Sequence, residues 1–250
     1  MDLYLKGKTA VVTGASKGMG RAIAKELARE GVKVFATGRN EELLSSLKDE
    51  IIESGGPEPI IFAQDFVASN GPDDIASNAF SKLSNIDILI NNAGRTRPLD
   101  VDGPDDEWKE AMTLDFDRHR QLTQRFLPHF IGRKQGSILN IISTYELRSV
   151  NASAVAKASI TVWAKQLAGQ LGAHNIRVNC IQPGLIDTDN IRPLFAGEER
   201  KSFASREIPL GDFGDPQDIA NMAVFMVSQR ARYITGTVAV VDGGMRHFPF

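Results

Sequence analysis

Short apolar runs and longer amphipathic stretches alternate along almost the whole of this chain. Runs at 9–13, 33–36, 59–63, 86–91, 136–142, 176–181 and 238–241 are of strand length, and most are apolar on both faces. Between them, segments 21–30, 41–54, 72–83, 105–130, 152–171 and 216–228 return apolar residues at helical spacing. Strand followed by helix, repeated, predicts a doubly wound α/β fold: about seven parallel strands between two layers of helices, joined by right-handed crossovers. Ligands of such folds sit beyond the carboxyl ends of the strands, so chemistry is sought just after each strand. Segment 187–206, between Pro183-Gly184 and Pro209, has no role in the sheet and reads as short helices forming a substrate lid.

Length and charge narrow the class. The 250 residues suit one large domain, 1–250, and no linker divides them. With 29 Lys and Arg against 31 Asp and Glu, interleaved, the net charge is −2 and no strong field draws the chain to nucleic acid or membrane. Cys180 is the only cysteine, which with the absence of a signal peptide points to a reducing, cytoplasmic setting. Four scattered histidines, His119, His129, His174 and His247, show no metal-ligand spacing and read as surface or satisfied side chains.

The first strand runs into Thr13-Gly14-Ala15-Ser16-Lys17-Gly18-Met19-Gly20 and then a helix. A strand that turns sharply into a helix N-terminus presents unpaired N–H groups and the positive end of the helix dipole, which suit a pyrophosphate. Glycines let the backbone approach the ligand. The second strand is followed by Arg39, where an acidic residue would bind an adenosine ribose and an arginine pairs instead with a 2′-phosphate. Arg39 with Lys17 favours NADP over NAD. Asp65 and Phe66 follow the third strand, and Asn91-Asn92-Ala93-Gly94 follows the fourth, small enough for an adenosine half to press on the backbone.

Together with Asn140-x-x-Ser143, Pro183-Gly184-x-x-x-Thr188 and Asp242-Gly243-Gly244, these motifs resemble, in order, the signatures of the short-chain dehydrogenase/reductase family. The similarity spans nearly the whole chain. It implies a single Rossmann-type domain, a nicotinamide cofactor held by Gly14, Ser16, Lys17, Gly18, Met19, Gly20, Arg39, Asp65, Phe66, Asn92, Ala93, Gly94, Lys157, Pro183, Gly184 and Thr188, and commonly a homotetramer built on the helices after the fourth and fifth strands. It also implies a tyrosine as proton carrier, a lysine beside it, a serine for the substrate oxygen and an asparagine for a relay water.

Ser143 and Lys157 match that pattern, but the tyrosine position, four before Lys157, holds Ser153, and the asparagine position falls on Asp115 or within one residue of it. An aliphatic hydroxyl is a poorer proton carrier than a phenol, whose pKa is about 10. The segment from Ser143 to Ser153 is shorter than usual in the family and contains Tyr145, so a relocated phenol is one alternative and packing of that ring on the pocket wall another. The catalytic candidates are therefore Ser143, Lys157, Tyr145, Ser153 and Asp115. Arg95, Arg97 and Arg148 are placed to meet an acidic substrate or to sit solvated. Three functions stay open: an NADP(H)-dependent carbonyl reductase or alcohol dehydrogenase, similar to 3-oxoacyl reductases; a non-redox enzyme carrying out elimination, dehydration or decarboxylation; and a non-catalytic nucleotide-binding protein.

Overall fold

A computed structural model describes residues 1–144, 149–195 and 197–247. Seven parallel strands form one sheet in the order β3-β2-β1-β4-β5-β6-β7: β1 (Thr9–Thr13), β2 (Lys33–Gly38), β3 (Ile60–Ala63), β4 (Ile88–Asn91), β5 (Gly136–Ile141), β6 (Ile176–Pro183) and β7 (Val238–Val241). The chain winds outward from β1 to β3, then returns to place β4 on the other side of β1, so the strand order reverses between β1 and β4. A crevice opens at such a reversal, outside the carboxyl ends of the strands.

Because strand side chains alternate between faces, the sheet has two cores. Ala10 and Val12 of β1 point to one, with α1 (Gly18–Arg29), α2 (Glu41–Glu53) and α8 (Pro216–Val227); Val11 points to the other, with α3 (Gly71–Lys82), α5 (Arg118–Arg133) and α6 (Ala152–Leu171). Both faces are covered, which explains the nearly continuous apolar strands. The strand boundaries differ from the sequence reading by a few residues. β6 runs on to Pro183 because Gln182 and Pro183 pair with Val240 and Val241 of β7.

The helical pattern at 105–130 is corrected. It divides into α4 (Asp105–Met112), a π-helical turn (Thr113–Asp117) and α5, which continues to Arg133. A π turn inserts one residue into a helix without disturbing the apolar period much, and such turns gather at functional sites. This one carries Asp115. Segment 187–206 holds a 3₁₀ turn (Arg192–Leu194) and most of α7 (Gly197–Glu207), roofed by the packed rings of Phe195, Phe203 and Phe213. Asp187 anchors it through Arg192 at 2.9 Å and Arg200 at 2.8 Å.

Candidate active site

The carboxyl ends of β1, β2, β4, β5 and β6 open into one cavity of about 860 Å³. Every cofactor-binding residue expected from the sequence lines it, as do Ser143, Ser153 and Lys157. Asp115 lies behind the wall, and Tyr145 and Arg148 fall outside the described residues.

At one end, β1 gives way to the glycine turn and α1. The Lys17 N-cap makes no side-chain hydrogen bond to the first turn, so the helix-end N–H groups face the cavity without a side-chain cap. Gly14 has φ +65°. A Cβ on Gly20 would collide with the Gly14 carbonyl and the Asn92 amide, so only glycine lets the turn close. Asn92 braces the turn from β4, its Nδ2 donating to the Thr13 carbonyl at 2.9 Å, while the Thr13 hydroxyl accepts from the N–H groups of Asn92 and Ala93. Lys17 and Arg39 are exposed at the rim beside Ser16. The uncapped helix end, the glycine cradle and two cations fit a dinucleotide carrying an extra phosphate.

At the other end, α6 starts where the Asn151 side chain accepts from the Ala154 N–H at 3.1 Å, which sets Ser153 and Lys157 on the helix face turned to the sheet. Lys157 is buried, and its ammonium donates to the Ile141 carbonyl at 3.4 Å and stands 3.9 Å from an Asp115 carboxylate oxygen. Asp115 is wholly buried by the π turn, and neither of its oxygens has a hydrogen-bond partner among the described residues; the Ser153 hydroxyl is in the same position. Burial pushes the Asp115 carboxyl above the usual carboxylate range, against the opposing pulls of the Lys157 charge, the nearby Ser153 hydroxyl, the Arg95 backbone N–H and the Arg97 charge. Gly94 floors the site: a Cβ there would lie 2.5 Å from Asp115 Oδ1 and 2.9 Å from Lys157 Nζ.

Two residues differ from the sequence reading. His119 is neither on the surface nor fully satisfied: it is buried one turn after Asp115, with Nε2 2.7 Å from the Ala93 carbonyl and Nδ1 without a partner. Burial, helped by the Lys157 charge, pushes its pKa down to about 3, so the ring is neutral and donates from Nε2. Arg97 does not greet substrate either. It is buried, with ion pairs to Glu107 at 3.3 Å and Glu110 at 2.9 Å, whereas Arg95 shares Glu110 at 2.9 Å from the cavity rim. Behind the strands, Asn91 donates to Thr123 and Asn140, each at 2.9 Å, a buried polar tie between β4, β5 and α5.

Comparison with known proteins gives this geometry a family. The family described as enoyl-(acyl carrier protein) reductase matches residues 14–246. The 3-oxoacyl-[acyl-carrier-protein] reductase FabG of Chlamydia pneumoniae is 36% identical over 252 residues, covering 99% of this chain and 100% of the relative. The chain belongs to the short-chain dehydrogenase/reductases. Eggerthella lenta 3beta-hydroxysteroid dehydrogenase 1, 34% identical over 254 residues, covers 98% of this chain and 96% of the relative. The structure of L-sorbose reductase from Gluconobacter frateurii, complexed with NADPH and L-sorbose, superposes with a TM-score of 0.94 at 31% identity, covering 99% of this chain and 100% of that one. Membership places the protein among oxidoreductase enzymes of Rossmann-type fold. No helix among the described residues is long and apolar enough to cross a membrane.

Proposed function

We propose that the protein is an NADPH-dependent carbonyl reductase, working reversibly as an alcohol dehydrogenase. The observation that carries the reading is one continuous cavity with Lys17 and Arg39 at the phosphate end and Ser143 and Lys157 at the other. When bound, the dihydronicotinamide nucleotide supplies a hydride. Lys17 and Arg39 pair with the 2′-phosphate, the glycine turn and the α1 N-terminus take the pyrophosphate, and Asp65, Phe66, Asn92 and Ala93 flank the adenosine. Lys157 holds the nicotinamide ribose and Ser143 the substrate oxygen. The reductase name of FabG and the NADPH in the L-sorbose reductase complex support this reading. A 7α-hydroxysteroid dehydrogenase structure of 34% identity holds NADH instead; the exposed cations Arg39 and Lys17 at the cavity rim support NADPH here.

Ser153 stands in the family's tyrosine position and Asp115, or a residue next to it, in its asparagine position, so the proton route is this chain's own. Segment 187–206 folds over the substrate as a lid, hinged where Asp187 meets Arg192 and Arg200. α5 and α6 form the contacts of a homo-oligomer. A non-redox reaction is the second reading, favoured by Ser153, rather than a phenol, one turn before Lys157 at the cavity wall. NADPH titration followed by absorbance at 340 nm with a panel of 3-oxoacyl thioesters, ketoses and ketosteroids decides between them. The reductase consumes NADPH with at least one class; binding without consumption across the panel favours the second reading.

A further inference from the structure

The site has an acid and a hydroxyl that nothing else in the fold explains. Asp115 is wholly buried at the π turn with both oxygens unpartnered among the described residues, and the nearly buried Ser153 hydroxyl, also unpartnered, sits on α6 one turn before Lys157, whose ammonium is 3.9 Å from Asp115 Oδ1. Leaving such groups unbonded is costly, and a fold tolerates it where function requires it. Only Ser153 of the two reaches the cavity wall. We propose that Asp115 and Ser153 form a proton relay to the substrate oxygen, with Asp115 as the proton reservoir and Ser153 as the hydroxyl that touches substrate. This rests on the reductase reading and supplies the proton route that it lacks.

With the bound nucleotide supplying a hydride to the carbonyl carbon, Ser153 would donate its hydroxyl proton to the carbonyl oxygen. At the same moment the Asp115 carboxyl proton passes to the Ser153 oxygen. The carbonyl would become an alcohol at the expense of the nucleotide's hydride, with Ser153 regenerated and Asp115 left as a carboxylate. Because Ser153 gains a proton as it gives one, it never becomes a free alkoxide, and its high pKa ceases to be an obstacle. The carboxylate forms 3.9 Å from the Lys157 ammonium, which stabilises it, and water entering the cavity after product release returns the proton through Ser153. The charged and titratable groups around Asp115 are Lys157 from α6, Arg95 and Arg97 from the loop after β4, and neutral His119 one turn along. Of these, His119 stays unprotonated above about pH 3 and carries no acidic proton to give, the arginines hold theirs tightly, and Lys157 directs its ammonium to the Ile141 carbonyl at 3.4 Å. Burial holds the carboxyl above its ordinary range, which keeps it an acid at higher pH.

The test joins a spectroscopic and a kinetic measurement. Infrared titration of the substrate-free protein is expected to show the C=O stretch of a buried protonated carboxyl, absent in Asp115→Asn and with a displaced titration in Ser153→Ala. In NADPH-dependent reduction, kcat is expected to fall as pH rises through that same titration. Asp115→Asn and Ser153→Ala each lower kcat by about 10²–10⁴-fold, the first also flattening the pH profile, while NADPH affinity by fluorescence and the circular dichroism spectrum stay near wild type. The relay is overturned if Ser153→Ala leaves the carboxyl titration in place, if the pH dependence persists in Asp115→Asn, or if Tyr145→Phe abolishes reduction and Asp115→Asn does not. A carboxyl titration displaced by Ser153→Ala in a protein that reduces no carbonyl compound fails the reductase reading alone.

Discussion

The Lys157 ammonium lies 3.9 Å from Asp115 Oδ1, near enough to act on its charge and too far to hydrogen-bond it. A direct salt bridge would lock the carboxylate in its ionised form. At this separation Lys157 remains held by the Ile141 carbonyl and only partly offsets the desolvation of Asp115. The site therefore keeps a carboxyl whose protonation remains adjustable, beside a cation fixed at the cavity wall.

Gly94 is what permits that approach. A Cβ there would sit 2.5 Å from the Asp115 oxygen and 2.9 Å from the Lys157 nitrogen. Gly94→Ala is expected to push the two groups apart, costing about 1–3 kcal/mol of stability and lowering kcat more than it weakens nucleotide binding. Thermal denaturation with steady-state kinetics checks both.

Arg39 is expected to set nucleotide preference. Loss of a charge-assisted contact of about 1.5–3 kcal/mol corresponds to about ten- to a hundredfold in affinity. Arg39→Ala should therefore weaken NADPH binding by that factor and leave NADH binding little changed, as read by calorimetric titration. Equal weakening of both nucleotides would remove Arg39 from the 2′-phosphate.

His119 makes an acid-stability prediction. Its pKa of about 3 in the native state lies below the ordinary 6.5, so its contribution is complete above pH 6.5 and is lost progressively as pH falls toward 3. At pH 5 that loss is about 2 kcal/mol, or about 4–8 °C in Tm for a chain of this size. His119→Gln, which still offers an N–H to the Ala93 carbonyl, is expected to show a correspondingly smaller drop in Tm between pH 7.5 and pH 5. An unchanged drop would mean that the ring is accessible to protons.

Assembly is read from α5 and α6. The sequence gives both helices more apolar surface than one face needs, but Phe126 and Phe130 are consumed by the protein's own core. Trp163 packs edge-on to Phe116. Val155 and Val162 remain, 51% and 63% exposed on α6. A dimer or tetramer is expected by light scattering at micromolar concentration, and Val162→Glu is expected to shift it toward monomer.

Much of this was legible in the sequence because the signals were local. The seven strands announce themselves as apolar runs, and the glycine turn, Asn92-Ala93-Gly94, Ser143 and Lys157 all reach one cavity because each directly follows a strand or opens a helix. The π turn was not legible, since one inserted residue hardly alters an apolar period. His119 could have been found: Asp115, His119, Leu122, Phe126 and Phe130 recur at helical spacing, and all are buried. Taken only as one polar residue among four scattered histidines, it reads as a surface or satisfied side chain. The burial of Arg97 depends on Glu107 and Glu110 arriving from α4, a pairing no local pattern contains.

Hydride transfer to a carbonyl carbon leaves an isotopic mark on the product. The protein is incubated with NADPH carrying deuterium at both C4 positions and the best carbonyl substrate from the panel, and the product is examined by mass spectrometry and proton NMR. The expected product is an alcohol bearing one deuterium on the carbinol carbon and none on its hydroxyl in ordinary water. Product without deuterium at that carbon, or no alcohol while NADPH is bound, would contradict hydride transfer.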